Sequence, residues 1–214
     1  MRSLRREHLD RLLEKYHHYI KGDVLDVGGK KKNKKGFFRI NHKIIKSLKY
    51  VNIDRKTNPD YLARAEKIPV KKNSFSTILI TELLQYVDDV ELVLSEIKRV
   101  SKEKSYIICS VPFLVPVHGD YKIDKRRLTI EYYKKIFKKN NLKIIKMEYM
   151  GSVFSVIHDI ILISFGYASL SKNFIFLKIL KYLRFIFKFL DSYFKYESKF
   201  ITSGYFFILQ NKKK

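Results

Sequence analysis

Val24-Leu25-Asp26-Val27-Gly28-Gly29 is a short apolar run that stops on two adjacent glycines, the pattern of a buried strand entering a tight turn. Upstream, Leu9, Leu12, Leu13, Tyr16 and Ile20 recur at helical spacing, so the stretch from Leu4 to Ile20 reads as an amphipathic helix that Lys21-Gly22-Asp23 interrupts. Downstream, Tyr50 to Asp54 is a second strand ending on an acid. Phe75 to Ile80 is a third, preceded by the turn-like Lys71-Lys72-Asn73-Ser74. A helix over Val90 to Val100 leads to Ser105–Val111, which is nearly all apolar or small, as a strand covered on both faces would be, and Pro112 ends it. A helix from Thr129, its cap, to Asn140, a strand from Leu142 to Met147 and a terminal strand from Gly204 to Gln210 complete the series. Strands alternating with helices specify an open α/β sheet with right-handed crossovers.

In such sheets a ligand sits at the carboxyl ends of the strands where strand order reverses, usually beside the turn after the first strand. Gly28 and Gly29 occupy that turn and let the backbone come close to a ligand, while Asp54 can accept hydrogen bonds from two ribose hydroxyls. A dinucleotide site wants Gly-x-Gly-x-x-Gly, but Lys30 to Lys35 follow here. A P-loop wants Gly-x-x-x-x-Gly-Lys and then Ser or Thr, a register that is not found, so neither NAD nor ATP is expected.

Composition narrows the class. With 46% hydrophobic and 14% aromatic residues and only 8 Gly and 4 Pro, the 214-residue chain is expected to fold as one domain: a core over 22–150, an apolar helical insertion over 151–196 and the terminal strand 204–210. The single cysteine, Cys109, excludes an intrachain disulfide and suits a reducing compartment, so a cytoplasmic location is expected. No set of His, Cys and acidic residues has metal-ligand spacing, and no metal is assigned. Forty-five Lys+Arg against 21 Asp+Glu leave a formal charge of +24, which favours polyanions: nucleic acid, an anionic membrane surface, or neither if the lysines are merely scattered over solvated surface.

Leu25-Asp26-Val27-Gly28-Gly29, Asn52-Ile53-Asp54, Ala65-Glu66-Lys67-Ile68-Pro69, Asn73-Ser74-Phe75, Thr81-Glu82-Leu83-Leu84, Glu96-Ile97-Lys98-Arg99-Val100 and Ser110-Val111-Pro112-Phe113 come in the order seen in class I S-adenosylmethionine-dependent methyltransferases of the type 11 group, which the chain resembles over roughly residues 22 to 150. A closer resemblance, carried by His118-Gly119-Asp120 and by Asp124-Lys125-Arg126-Arg127-Leu128-Thr129, is to members associated with surface-polysaccharide synthesis. The resemblance implies a Rossmann-like open sheet of seven strands whose last strand runs antiparallel. It also implies S-adenosylmethionine as cofactor, with Gly28 and Gly29 near its methionine part, Asp54 on the ribose, Ala65 and Glu66 near the adenine, and Asp26 and Glu82 in the same site. The chain departs from the family pattern at Lys30, Arg64, Ser76 and Gln85-Tyr86.

Methyl transfer from a sulfonium needs in-line approach of a nucleophile, and a base only when the acceptor is a hydroxyl. His118, a few residues past the strand Ser105–Val111, is the candidate base and Asp120 its orienter. Arg127 could pair bidentately with an anionic acceptor group. Each has a plainer reading, as a loop histidine or a surface cation. In Phe174 to Leu190, Lys178, Lys181, Arg184 and Lys188 fall within an arc of roughly 120° at about 100° per residue, and the rest is apolar, the pattern of an interfacial helix on the inner face of a membrane. Packing on the domain or on a second copy is the alternative. The chain therefore reads as a methyltransferase acting on a saccharide or other small, lipid-linked acceptor. A nucleic-acid methyltransferase, or a non-catalytic scaffold as Lys30, Arg64 and Tyr86 would suit, stands as the rival.

Overall fold

The computed structural model describes residues 2–31, 36–117, 122–166, 174–194 and 199–212. In chain order the elements are α1 (Leu4–Lys15), β1 (Gly22–Val27), β2 (Ile45–Asn52), β3 (Tyr61–Leu62), β4 (Phe75–Thr81), α2 (Val90–Val100), β5 (Ser101–Pro112), α3 (Ile130–Lys139), β6 (Leu142–Tyr149), α4 (Val153–Gly166), α5 (Phe174–Tyr193) and β7 (Gly204–Asn211). The strands form one seven-stranded sheet in the order β3-β2-β1-β4-β5-β7-β6. β7 alone runs against its neighbours, antiparallel to both β5 and β6. From β1 the chain moves outward to β2 and β3, then returns to place β4 on the other side of β1, so strand order reverses between β1 and β4. This is the Rossmann-like open sheet with an antiparallel last strand that the resemblance implies.

Alternation along the central strands builds two apolar layers. Leu25, Val27, Ile78, Ile80, Ile107, Cys109, Phe207 and Leu209 face one side, where α2 supplies Val93, Leu94, Ile97 and Val100 and α3 supplies Tyr133, Ile136 and Phe137. Val24, Leu79, Ile108, Phe206 and Ile208 face the other, covered by Leu9, Leu13, Tyr16 and Ile20. The helix expected over Leu4 to Ile20 stops at Lys15 and continues as a 3₁₀ turn over His17–Tyr19, yet Tyr16 and Ile20 are buried as its periodicity implies. Among the described residues of the β1–β2 connection, 28–31 and 36–44, none is helical.

Three local expectations are corrected. β5 begins at Ser101, with a register irregularity where it starts to pair with β4 and Lys104 at φ +58°, and it runs through Pro112, which pairs with Gly204. Thr129 stands at the N-cap of α3, but its hydroxyl makes no capping bond, leaving Glu131 in the first turn to complement the dipole. β3, two residues long, carries too little pattern to be read from sequence. α4 and α5 occupy the connection between β6 and β7, and among the described residues no helix is long and apolar enough to cross a membrane.

Candidate functional site

A cavity of about 370 Å³ opens where strand order reverses, at the carboxyl ends of β1 and β4. Asp26, Gly28, Gly29 and Lys30 form its floor after β1, Thr81 and Glu82 its edge after β4, and Tyr86 closes one side. α1 forms a wall with Arg5, Arg6, Asp10 and Leu13, and Phe38, Arg39 and Ile40 form the side nearest the β1–β2 connection. Asp10 holds that connection in place, because its carboxylate accepts from the Phe37 N–H at 2.7 Å.

The turn glycines each have a reason in their own contacts. Gly28 has φ +84°, and a Cβ there would meet the Leu83 side chain at 3.0 Å, so backbone conformation and packing both call for glycine at this position. A Cβ on Gly29 would lie 2.2 Å from the Asp26 carboxyl carbon, so this glycine lets the carboxylate of Asp26 fold over the turn. Asn52, at the end of β2, donates to the carbonyls of both Gly28 and Gly29, at 3.1 and 3.0 Å, while its Oδ1 accepts from the Asp54 N–H at 2.9 Å. One side chain thus ties the glycine turn to the acid beyond β2. Sequence reasoning gave Asn52 no role of its own, and its place two residues before the acid Asp54 is the signal that could have found one.

Glu82 sits beyond β4 with a left-handed backbone, φ +55°. Its Oε1 accepts from Ser110 Oγ at 3.0 Å, and its Oε2 pairs with the guanidinium of Arg5. Both side chains are only 10% exposed, so the pair is largely screened from water. Burial, reinforced by the charge of Arg6, pulls the Arg5 guanidinium down to about 10, which still leaves it protonated at neutral pH. Arg5 is held from behind by α4, whose Asp159 carboxylate accepts from the Leu4 and Arg5 backbone N–H groups at 2.7 and 2.9 Å and so caps α1.

Asp54, Ala65 and Glu66 lie outside this cavity's lining. Asp54 is exposed and caps the 3₁₀ turn Arg55–Thr57 by accepting from the Lys56 N–H. Ala65 is buried. Glu66 pairs with Arg64, which also pairs with Asp88 at 2.5 Å, and Asp88 in turn pairs with Lys125. The cation at position 64, one of the departures from the family pattern, is therefore matched by two carboxylates of its own rim. His118 and Asp120 lie outside the described residues.

Arg127 is committed elsewhere. Its fork makes two bonds to the buried Asp124 carboxylate, at 2.5 and 2.6 Å, so the expected pairing with an acceptor anion is already taken by an acid of its own loop. Neighbouring residues clamp this loop to the segment after β4: the Lys125 N–H donates to the Gln85 carbonyl, and Arg126 donates to the carbonyls of Val87 and Asp88. Cys109 is fully buried in β5, where burial pushes its thiol far up, out of the range of a nucleophile.

A methyl donor of the S-adenosylmethionine type brings a sulfonium, an ammonium and a carboxylate. The cavity is lined by charge of both signs, with the carboxylates of Asp10, Asp26 and Glu82 and the cations of Arg5, Arg6, Lys30 and Arg39. Its volume lies within the range of about 300 to 1,000 Å³ typical of small-molecule sites. The residues present fit that group.

Residues 40–109 match the family model described as a methyltransferase domain, and this stretch runs from just before β2 nearly to the end of β5. No curated protein matches the sequence. Among solved structures, a candidate sarcosine dimethylglycine methyltransferase of Galdieria sulphuraria is similar at TM-score 0.60 and 14% identity, over 95% of this chain and 85% of that one. A SAM-dependent methyltransferase of Archaeoglobus fulgidus is similar at 0.57 and 16%, over 96% and 94%. Phosphoethanolamine N-methyltransferase 2 of Haemonchus contortus, solved with S-adenosyl-L-methionine, is similar at 0.58 and 15%, over 96% of this chain and 52% of that one. The fold is that of class I methyltransferases, and the family match covers about a third of the chain, residues 40–109.

Proposed function

We propose that this protein is an S-adenosylmethionine-dependent methyltransferase of a small acceptor, with a sugar hydroxyl as the leading candidate. What supports the reading most is the cavity at the strand-order reversal, where Asp26, the glycine turn and the Arg5–Glu82 pair meet. When bound, the donor supplies an electrophilic methyl carbon, to which the acceptor oxygen bonds as the carbon–sulfur bond breaks. Asp26 and Glu82 would hold the donor's ammonium, Arg5 and Arg6 its carboxylate, and Asp54 its ribose hydroxyls. His118, a few residues past β5 in the sequence, would take the hydroxyl proton, and Asp120 would orient its ring. Arg127 would act on the site through Asp124, positioning the loop that follows His118.

The sugar acceptor rests on the order His118-Gly119-Asp120 and Asp124 to Thr129, similar to proteins of surface-polysaccharide synthesis. Neighbours named for sarcosine and phosphoethanolamine are in keeping with an acceptor of small size. The single cysteine suits a reaction in the cytoplasm.

Calorimetric titration with S-adenosylmethionine tests the donor site directly, and absence of binding removes the proposal. If the acceptor is a hydroxyl, His118→Ala should lower turnover by about 10² to 10⁴ with donor affinity intact. Near-normal turnover across pH in that variant returns His118 to the status of a loop residue.

A further inference from the structure

α5 is held in one orientation by three tethers on its inner side. Arg184 and Lys188 both pair with Glu7 of α1, and Arg184 also donates to the Arg2 carbonyl. Near its carboxyl end, Asp191 accepts from the Ser152 N–H and Oγ at 2.7 and 2.5 Å and pairs with His8 at 2.8 Å. Phe187 lies beside the rings of Phe154 and His158. Two of the four cations expected to meet lipid headgroups are therefore turned onto the domain instead.

The outer side is what this orientation leaves uncovered. Ile179, Tyr182, Phe185, Ile186, Phe189 and Tyr193 are 50% to 79% exposed. At about 100° per residue they fall within an arc of roughly 120°. Beyond the end of the helix, Phe200 is 73% exposed with the Lys199 ammonium 5.0 Å from its ring centroid. The one acid of α5, Asp191, is on the inner side and buried.

We infer that this aromatic face of α5 docks on an anionic membrane surface by inserting Tyr182, Phe185 and Phe189 below the headgroups. The formal charge of +24 selects the occupant. A second copy seated on the same face would bring two such charges together with no acid from either outer face between them, whereas anionic headgroups neutralise them. Phe and Tyr on the inserted side are suited to the bilayer interface, since their rings are apolar and the tyrosine hydroxyl stays with water. The docked element is also the one that holds α1 through Glu7, and α1 is a wall of the cavity, so the membrane would lie beside the site.

The chain contains no Trp, so Phe185→Trp places a single indole reporter on the outer face. With vesicles of phosphatidylcholine mixed with phosphatidylglycerol, the wild type is expected to co-sediment at physiological salt and the indole emission to shift to the blue, with little of either on phosphatidylcholine alone. The triple variant Tyr182→Ser/Phe185→Ser/Phe189→Ser, changed only at exposed positions, should keep its melting temperature and lose at least about tenfold in partitioning. A wild type that ignores the anionic vesicles overturns the proposal. So does an indole that stays unshifted while the protein sediments, or a triple variant that partitions unchanged. Light scattering that shows a dimer collapsing to a monomer in the triple variant, without vesicle binding by the wild type, assigns the face to a second copy.

Discussion

Replacing Glu82 by Gln keeps the shape of the side chain and removes its charge. The Arg5–Glu82 pair is only 10% exposed on each side, and the Arg5 backbone is fixed in the helix turn that Asp159 caps. The amide can still accept from Ser110 Oγ, so the loss is mainly the buried cation of Arg5 left without its counter-charge. Breaking a buried pair from one side costs about 3 to 5 kcal/mol, and at the lower end a chain of this size should lose about 6 to 12 °C in Tm. The double variant Arg5→Met/Glu82→Gln removes both charges and should recover most of that loss. Donor binding separates a structural role from a functional one. If the Glu82 carboxylate also meets the donor's ammonium, the single variant should bind S-adenosylmethionine more weakly by about 1.5 to 3 kcal/mol, roughly 10- to 150-fold by calorimetry, and the double variant, which also lacks the Arg5 guanidinium for the donor's carboxylate, more weakly still. A double variant that melts near the wild type and binds as well as the wild type would refute the site assignment. A Glu82→Gln protein with unchanged Tm would refute the energetics of the pair.

Asp54→Ala should weaken donor binding by about 1.5 to 3 kcal/mol, and an unchanged affinity in the same titration would reject its role on the ribose. Gly29→Ala drives a methyl into the Asp26 carboxylate, which would lie 2.2 Å away, so about 1 to 3 kcal/mol of stability should be lost in urea titrations; a midpoint equal to the wild type's would show that Asp26 moves aside freely. Burial alone would raise the Asp191 carboxyl, but hydrogen bonds from His8 and Ser152 outweigh it and hold the group at about 2, below the ordinary 3.8. A depressed acid stabilises the fold above its unfolded value and loses that contribution as pH falls through the folded one. The stability gap between wild type and Asp191→Asn, about 2 kcal/mol at neutral pH, should therefore close between about pH 4 and pH 2. A gap that is flat over that window contradicts the assignment.

The sheet was legible in the sequence because its signals are local. Val24 to Val27 cannot be other than a buried strand once two glycines end it, and Val90, Val93, Leu94, Ile97 and Val100 share one helical face, which the structure buries at the stated boundaries. The glycine turn after β1 and the acid beyond β2, Asp54, were legible for the same reason. Asn52 was not, because its role depends on carbonyls 23 and 24 residues away. The Asp124 partner of Arg127 was not legible either, because a free guanidinium and one locked to Asp124 have the same sequence, and the choice is made by a loop that closes on residues 85 to 88.

α5 shows the division most plainly. Its periodicity determined that Arg184 and Lys188 share one side and that Ile, Phe and Tyr share another, which needs only 3.6 residues per turn. Which side faces the domain was decided by Glu7, 177 and 181 positions away in the chain, and by Asp191 meeting His8 and Ser152. A helix fixes the angle between two of its side chains, but its rotation about its own axis is set by partners that only the tertiary fold brings to it.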